Sequence, residues 1–147
     1  MPVITRDVLI EGYRRDDVFA WLSDPEHHDR FLSGGFDGCK RTGDRTWELT
    51  LRTPPRNRVL GYKFIAPDDS HGGRRILCQT TGKRTQGRLN FSLRTQKPST
   101  NTLVTLHSDY ATSGLLGGVV NRTLLGSALE AGWSTVLENL AREIMKG

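Results

Sequence analysis

Residues able to move protons or hold metals are few in this chain of 147 residues, and most stand alone. His27 and His28 are adjacent, so on a helix they point about 100° apart and cannot clasp one ion as an i, i+4 pair would. Both are expected as solvated surface groups. His107 and Asp109 share one strand face two residues apart, the spacing of an acid/base pair, with Tyr110 on the opposite face. Alternation with Val104 and Leu106 turns His107 and Asp109 outward, where a polar strand face is the plainer reading, and leaves Tyr110 as the one catalytic candidate. Cys39 and Cys78 lie outside any Cys-x-x-Cys pair and read as small core or surface thiols. There is no His-Glu-x-x-His, no phosphate-binding glycine loop and no Gly-x-Ser-x-Gly, so a metal- or nucleotide-dependent enzyme is disfavoured and neither metal nor cofactor is expected.

Sixteen glycines and six prolines divide the chain into short segments, with no internal repeat or linker among them. From Val3 to Gly12, Ile4, Val8 and Ile10 alternate with Asp7 and Glu11, which predicts a half-buried strand. Asp16 and Asp17 then precede Val18 and Leu22, apolar at i, i+4, as in a short helix with acids at its positive end. Ser23-Asp24-Pro25-Glu26 combines capping residues with a first-turn proline and predicts a second short helix to about Phe31-Leu32.

Turn signals between Phe36 and Ala111 separate about six strands. Trp47, Leu49 and Leu51 alternate with Glu48, Thr50 and Arg52, and Leu89, Phe91 and Leu93 with Arg88, Asn90, Ser92 and Arg94, the pattern of an antiparallel sheet with one wet face. The same parity turns Leu60, Tyr62 and Phe64 inward opposite Lys63, and Val104, Leu106 and Tyr110 inward opposite Thr105 and Asp109. Beyond the turn from Ser113 to Gly118, a helix from Val119 to Lys146 carries Leu125, Leu129, Trp133, Val136, Leu137, Leu140 and Ile144 at three- and four-residue spacing. Strands and helices thus fall in blocks, an α+β arrangement in one domain, 1–147, and only the last helix is long enough to cover the apolar face of the sheet.

The net charge is +5, unevenly spread: between Lys40 and Lys97 there are 14 Lys or Arg against 4 Asp or Glu. Arg52, Arg88 and Arg94 oppose apolar neighbours on their strands, which predicts a basic outer sheet face able to meet an anionic membrane or an acidic protein. Specific nucleic-acid binding is not expected, because the aromatics alternate to the side away from these arginines. No apolar run approaches the roughly 18 residues needed to cross a bilayer, and charges interrupt Met1 to Ile10, so a soluble cytoplasmic protein is expected.

Three segments carry a resemblance to a known family: Val8 to Pro25, above all Val18-Phe19-Ala20-Trp21-Leu22-Ser23-Asp24-Pro25-Glu26; Gly82 to Leu93; and Thr102 to Leu116. The pattern resembles the START-related helix-grip superfamily (SRPBCC), the fold of the birch pollen allergen. The last two segments are similar to its polyketide cyclase/dehydrase family and to the relatives of that family that resemble the G component of carbon monoxide dehydrogenase. Two departures stand out: Phe31 replaces a tryptophan common at the end of the second helix, and one extra residue separates Ile10 from Val18. The resemblance implies a curved antiparallel sheet of about seven strands around a long C-terminal helix, with two short helices after strand 1. It also implies an apolar ligand held between sheet and helix, and strands for Cys39 and Cys78 that are not neighbours and leave both thiols reduced.

Trp47, Tyr62, Phe64, Phe91, Tyr110 and Trp133 form a candidate aromatic lining, with Leu49, Leu129 and Val136 beside them. Such residues fill ordinary cores as well. Two features favour a pocket: Gly126 and Gly132 interrupt the long helix, each at a cost of about 1 kcal/mol relative to alanine, and the polar tips of Tyr62, Tyr110 and Trp133 need partners if buried. Leu115 and Leu116, flanked by glycines, are placed as a gate. The leading expectation is a binding or carrier protein for a lipid, isoprenoid or aromatic polyketide. A cofactor-free cyclase or dehydratase is the alternative, and a protein- or membrane-interaction module using the basic sheet face is the second.

Overall fold

A computed structural model describes residues 3–52, 57–82, 85–97, 100–109 and 119–147, without the side chains of 85 and 119–125. Strand β1 (Val3–Ile10) is followed by helices α1 (Arg15–Leu22) and α2 (Pro25–Leu32). Six strands come next: β2 (Gly38–Arg41), β3 (Thr46–Leu51), β4 (Arg58–Asp68), β5 (Arg75–Gly82), β6 (Thr85–Gln96) and β7 (Asn101–Asp109). Helix α3 (Val119–Lys146) closes the described chain. All seven strands form one antiparallel sheet in the order β1-β7-β6-β5-β4-β3-β2, so the first strand lies against the last.

Local chemistry accounts for the element ends. Asp24 caps α2, its carboxylate accepting from the Glu26 amide at 3.0 Å, with Pro25 at the first helical position. Ser23, expected as part of that cap, instead ends α1: its amide and its hydroxyl both donate to the Phe19 carbonyl. In β4 the register shifts between Phe64 and Ala66, a bulge that sharpens the twist.

Alternation along the strands sorts the two faces as the sequence predicts. Trp47, Leu49, Leu51, Tyr62, Phe64, Leu89, Phe91, Leu93, Val104 and Leu106 are buried, while Lys63, Arg52, Arg88, Arg94 and His107 are exposed. Ile76 and Cys78 join the inner face, and Cys39 and Cys78 sit three strands apart as free thiols. From α3, Leu129, Trp133, Val136, Leu137, Leu140 and Ile144 are buried against the interior.

The expectation that α3 alone covers the sheet is corrected. Helix α1 packs over β5, β6 and β7 with Val18 and Leu22 fully buried, and α2 is wedged beside α3. Side-chain bonds lock this arrangement: the Thr102 hydroxyl donates to the Tyr13 carbonyl at 2.7 Å, and Arg74 meets Asp16 at 3.0 Å while lying over the Phe19 ring. Beside α3, Arg30 pairs with Glu143 at 3.0 Å, and buried Asn139 donates to the Ser33 carbonyl at 3.1 Å. Gly132 proves to be a site of close approach: a Cβ there would stand 2.6 Å from Cδ1 of Phe36, whose ring meets Trp133 edge-on at 5.0 Å.

Candidate ligand-binding site

The second correction concerns His28, which is fully buried although its helix reads as polar. His28, Phe31 and Leu32 share one face of α2 at i, i+3, i+4 and turn together into the interior. Around the imidazole stand Phe31 at 4.8 Å, Phe64 edge-on at 4.9 Å, Tyr62 at 5.9 Å, and Phe91 and Trp47 at 6.2 Å. His27 stays partly exposed, its ring stacked on Trp21 at 4.3 Å and its Nδ1–H donating to the Trp21 carbonyl at 2.7 Å.

Three buried polar side chains make one chain of hydrogen bonds. His28 Nε2 lies 2.8 Å from the Leu22 carbonyl, which only accepts, so Nε2 carries the proton and Nδ1 offers its lone pair. The Tyr62 hydroxyl, 2.7 Å from Nδ1, therefore donates to it, and the Cys78 thiol, 3.2 Å from Tyr62 Oη, donates to the phenol oxygen. Every member is neutral. Burial holds the imidazole down to about 4, lifts the Tyr62 phenol well above its ordinary value and pushes the Cys78 thiol up to about 12.

The proposed lining divides into two groups. Phe64 and Phe91 lie beneath α2, in ring contact with His28. Tyr62 reaches α3, its ring 6.2 Å from Trp133 and 5.7 Å from Trp47. Trp47 in turn donates its indole N–H to Asp29 at 3.0 Å. Leu49, Leu129 and Val136 are buried, and Val136 Cγ2 packs against Gly35. Tyr110 and the gate residues Leu115 and Leu116 lie outside the described residues.

Across the concave face the side chains shrink toward one end. In one row Tyr62 pairs with Thr80 and Thr80 with Gly87; in the next, Phe64, Cys78, Leu89 and Ser108 stand in register. Thr80 and Ser108 are each 3% exposed. Sequence reading missed both, as well as His28; the available signal was parity, since Thr80 and Ser108 fall in step with inward Cys78 and Leu106. On the outer face Arg75, Gln79, Arg88, Asn90 and Asp109 border a groove of about 810 Å³. His107 points outward there as its parity requires, and Asp109 accepts from the Arg88 amide at 2.5 Å.

A seven-stranded antiparallel sheet wrapped on a long C-terminal helix, with two short helices after the first strand, is the helix-grip fold. Solved structures show the likeness over nearly whole chains. A Thermus thermophilus protein, TTHA0849, matches with a TM-score of 0.69 at 14% identity, over 99% of this chain and 98% of that one. The Zhui aromatase/cyclase from a Streptomyces species matches at 0.68 and 12% identity, over 99% and 94%. Truncated norcoclaurine synthase from Thalictrum flavum matches at 0.62 and 14% identity, again over 99% and 94%. No protein-family model and no curated protein matches the sequence. Among the described residues, no helix is long and apolar enough to cross a membrane.

Proposed function

We propose that this chain binds a hydrophobic small molecule between the concave face of its sheet and the first half of α3. The observation that carries this reading is the make-up of that face: Trp47, Tyr62, Phe64 and Phe91 give it a buried aromatic surface, and Tyr62 on the sheet meets Trp133 on α3. A lipid, isoprenoid or aromatic polyketide suits the apolar surface that Trp47, Tyr62, Trp133 and Leu129 make. Two of the solved structures with this fold are named as an aromatase/cyclase and a synthase, which keeps small organic ligands in view; at 12–14% identity the likeness carries the fold alone.

Binding is favoured over cyclase chemistry by the state of the buried titratable groups. Both imidazole nitrogens of His28 are engaged, and Tyr62 and Cys78 are neutral and bonded to each other, so none of the three stands free as an acid or base. The basic outer face, with Lys63, Arg88 and Arg94 making no ion pair among the described residues, is the surface that the interaction-module reading would use, and salt dependence separates the two readings.

Titration with pyrene, read by energy transfer from tryptophan, tests the reading. Binding should be saturable and nearly independent of salt, since apolar burial supplies it at roughly 25 cal/mol per Å2. Trp133→Ala should weaken it and Arg88→Ala leave it unchanged. Strong salt dependence with the reverse ranking would move the working surface to the outer face. Loss of turnover of a candidate polyketide in Tyr110→Phe, with binding intact, would establish the cyclase instead.

A further inference from the structure

The geometry points to a second ligand site, on the outer face of the sheet, that takes a small organic monocarboxylate with an apolar body. It uses none of the concave-face side chains, so it stands or falls separately from the reading above.

Strand register builds the site. On the outer face of β4, β5 and β6, Lys63 stands opposite Gln79 and Gln79 opposite Arg88, and in the next row Leu77 stands opposite Asn90. Asp109 extends the first row, its carboxylate accepting from the Arg88 amide at 2.5 Å. Gln79, Arg88, Leu77, Asn90 and Asp109 line the groove of about 810 Å³ together with Ile65 and Arg75. That volume falls within the roughly 300–1,000 Å³ of sites that hold drug-sized ligands. Leu77, Gln79 and Asn90 are half-buried, as a floor would be, while Arg75, Arg88 and Ile65 are exposed beside them.

The charges decide what the groove can hold. Arg75 is already held by Asp68 at 2.7 Å, and the nearby Arg45 lies over the Phe64 ring and donates to the Ile65 carbonyl. Lys63 and Arg88 make no ion pair among the described residues, and Asp109 is the carboxylate beside them. Two cations against one carboxylate leave a single positive charge, enough for a monoanion and too little for a dianionic phosphate ester, which would also face Asp109. Lys63 and Arg88 stand two strand spacings apart, roughly 10 Å at the backbone, so their long side chains can close on one group above Gln79. A guanidinium fork matches the two oxygens of a carboxylate. Beside this charged row Leu77 and Ile65 supply apolar carbon for the body of the ligand, and the Gln79 and Asn90 amides each offer a donor and an acceptor to a carbonyl or amide on it.

The test titrates the full chain with N-benzoylglycine, its uncharged amide N-benzoylglycinamide, and phenyl phosphate, following the side-chain amides of Gln79 and Asn90 by nitrogen-proton NMR. N-benzoylglycine should shift both signals and bind about tenfold tighter than the uncharged amide, and more tightly than phenyl phosphate. Lys63→Gln with Arg88→Gln should remove that tenfold advantage, and Leu77→Thr should weaken acid and amide alike. Ionic strength of about 1 M, where the screening length falls to about 3 Å, should weaken only the acid. Thermal unfolding of each variant checks that the fold is intact, and pyrene binding should be the same in all of them. No shift with N-benzoylglycine, equal affinity for acid and amide, or an unchanged affinity in the double variant overturns the site. Tighter binding of phenyl phosphate overturns the charge assignment. Binding only to vesicles of phosphatidylglycerol and phosphatidylcholine, lost in the double variant, would make the face a lipid-docking surface and overturns the small-molecule site.

Discussion

The two ends of the concave face solve the problem of burying polar atoms in opposite ways. Under α1 and α2, Cys78, Tyr62 and His28 each donate a hydrogen bond to the next group in a chain that ends on the Leu22 carbonyl, and aromatic rings pack around it. Toward the Gly87 end the inward side chains are small, Thr80 and Ser108 being each 3% exposed, and the Asp109 carbonyl stands over Gly87. Bonded polar groups fix one packing, whereas small side chains let the backbones themselves approach. The contrast separates an end of the core pinned and closed by polar bonds from an end of small side chains.

The largest expected effect is at the closed end. His28→Leu strands the Tyr62 hydroxyl and the Leu22 carbonyl, and urea unfolding at pH 7 should show a loss of about 3 kcal/mol. The native chain should itself lose about 3 kcal/mol as pH falls from 6.5 to about 4, because the unfolded imidazole takes up a proton near 6.5 that the buried one refuses until about 4. Full stability is present above pH 6.5, and the imidazole's share of the acid loss should vanish in His28→Leu. A native curve flat across this window would break the comparison at its stronger half.

Gly132→Ala should cost about 1 kcal/mol net, since overpacking against the Phe36 ring at about 1–3 kcal/mol is offset by about 1 kcal/mol of helix propensity. Differential scanning calorimetry together with the aromatic proton shifts of Phe36 and Trp133 would register it. In thiol labelling at pH 8, Cys39 should react well before Cys78, which is enclosed and held protonated by burial up to about 12; equal rates would mean the closed end opens. Smallest of all, Thr80→Val should change stability by less than about 0.5 kcal/mol, because it keeps the shape of the side chain. A loss as large as that of His28→Leu would show that Thr80 already has a partner within the fold.

Elements whose burial is periodic were legible from sequence: Trp47, Leu49 and Leu51, then Leu89, Phe91 and Leu93, and the stripe from Leu129 to Ile144 all face where their spacing sends them. Segment α2 was harder, because five of its eight residues are charged or histidine, and the i, i+3, i+4 relation of His28 to Phe31 and Leu32 was the sole trace of its inner face. The hydrogen bonds of His28 join residues six and 34 positions apart, a relation that only the packing of α2 on β4 creates. Among the candidate site residues, the aromatic lining could be named from alternation, but its division between α2 and α3 depends on how the short helices seat on the sheet. Thr80 and Ser108 carried a parity signal that small polar residues in strands seldom make conspicuous.

Strand β1 is paired along its whole length with β7, from Val3 opposite Asp109 to Ile10 opposite Thr102. During synthesis β1 must therefore wait for β7, its only sheet neighbour among the described residues, a delay of roughly 5–20 s for about 100 residues at cellular elongation rates. Closing so long a loop delays the pairing further, so docking of β1 belongs to the last stage of folding, after β2 to β6 have formed their successive hairpins. Until then the flank of β7 is an open edge, a natural place for a holding chaperone or for a second copy's first strand to exchange in.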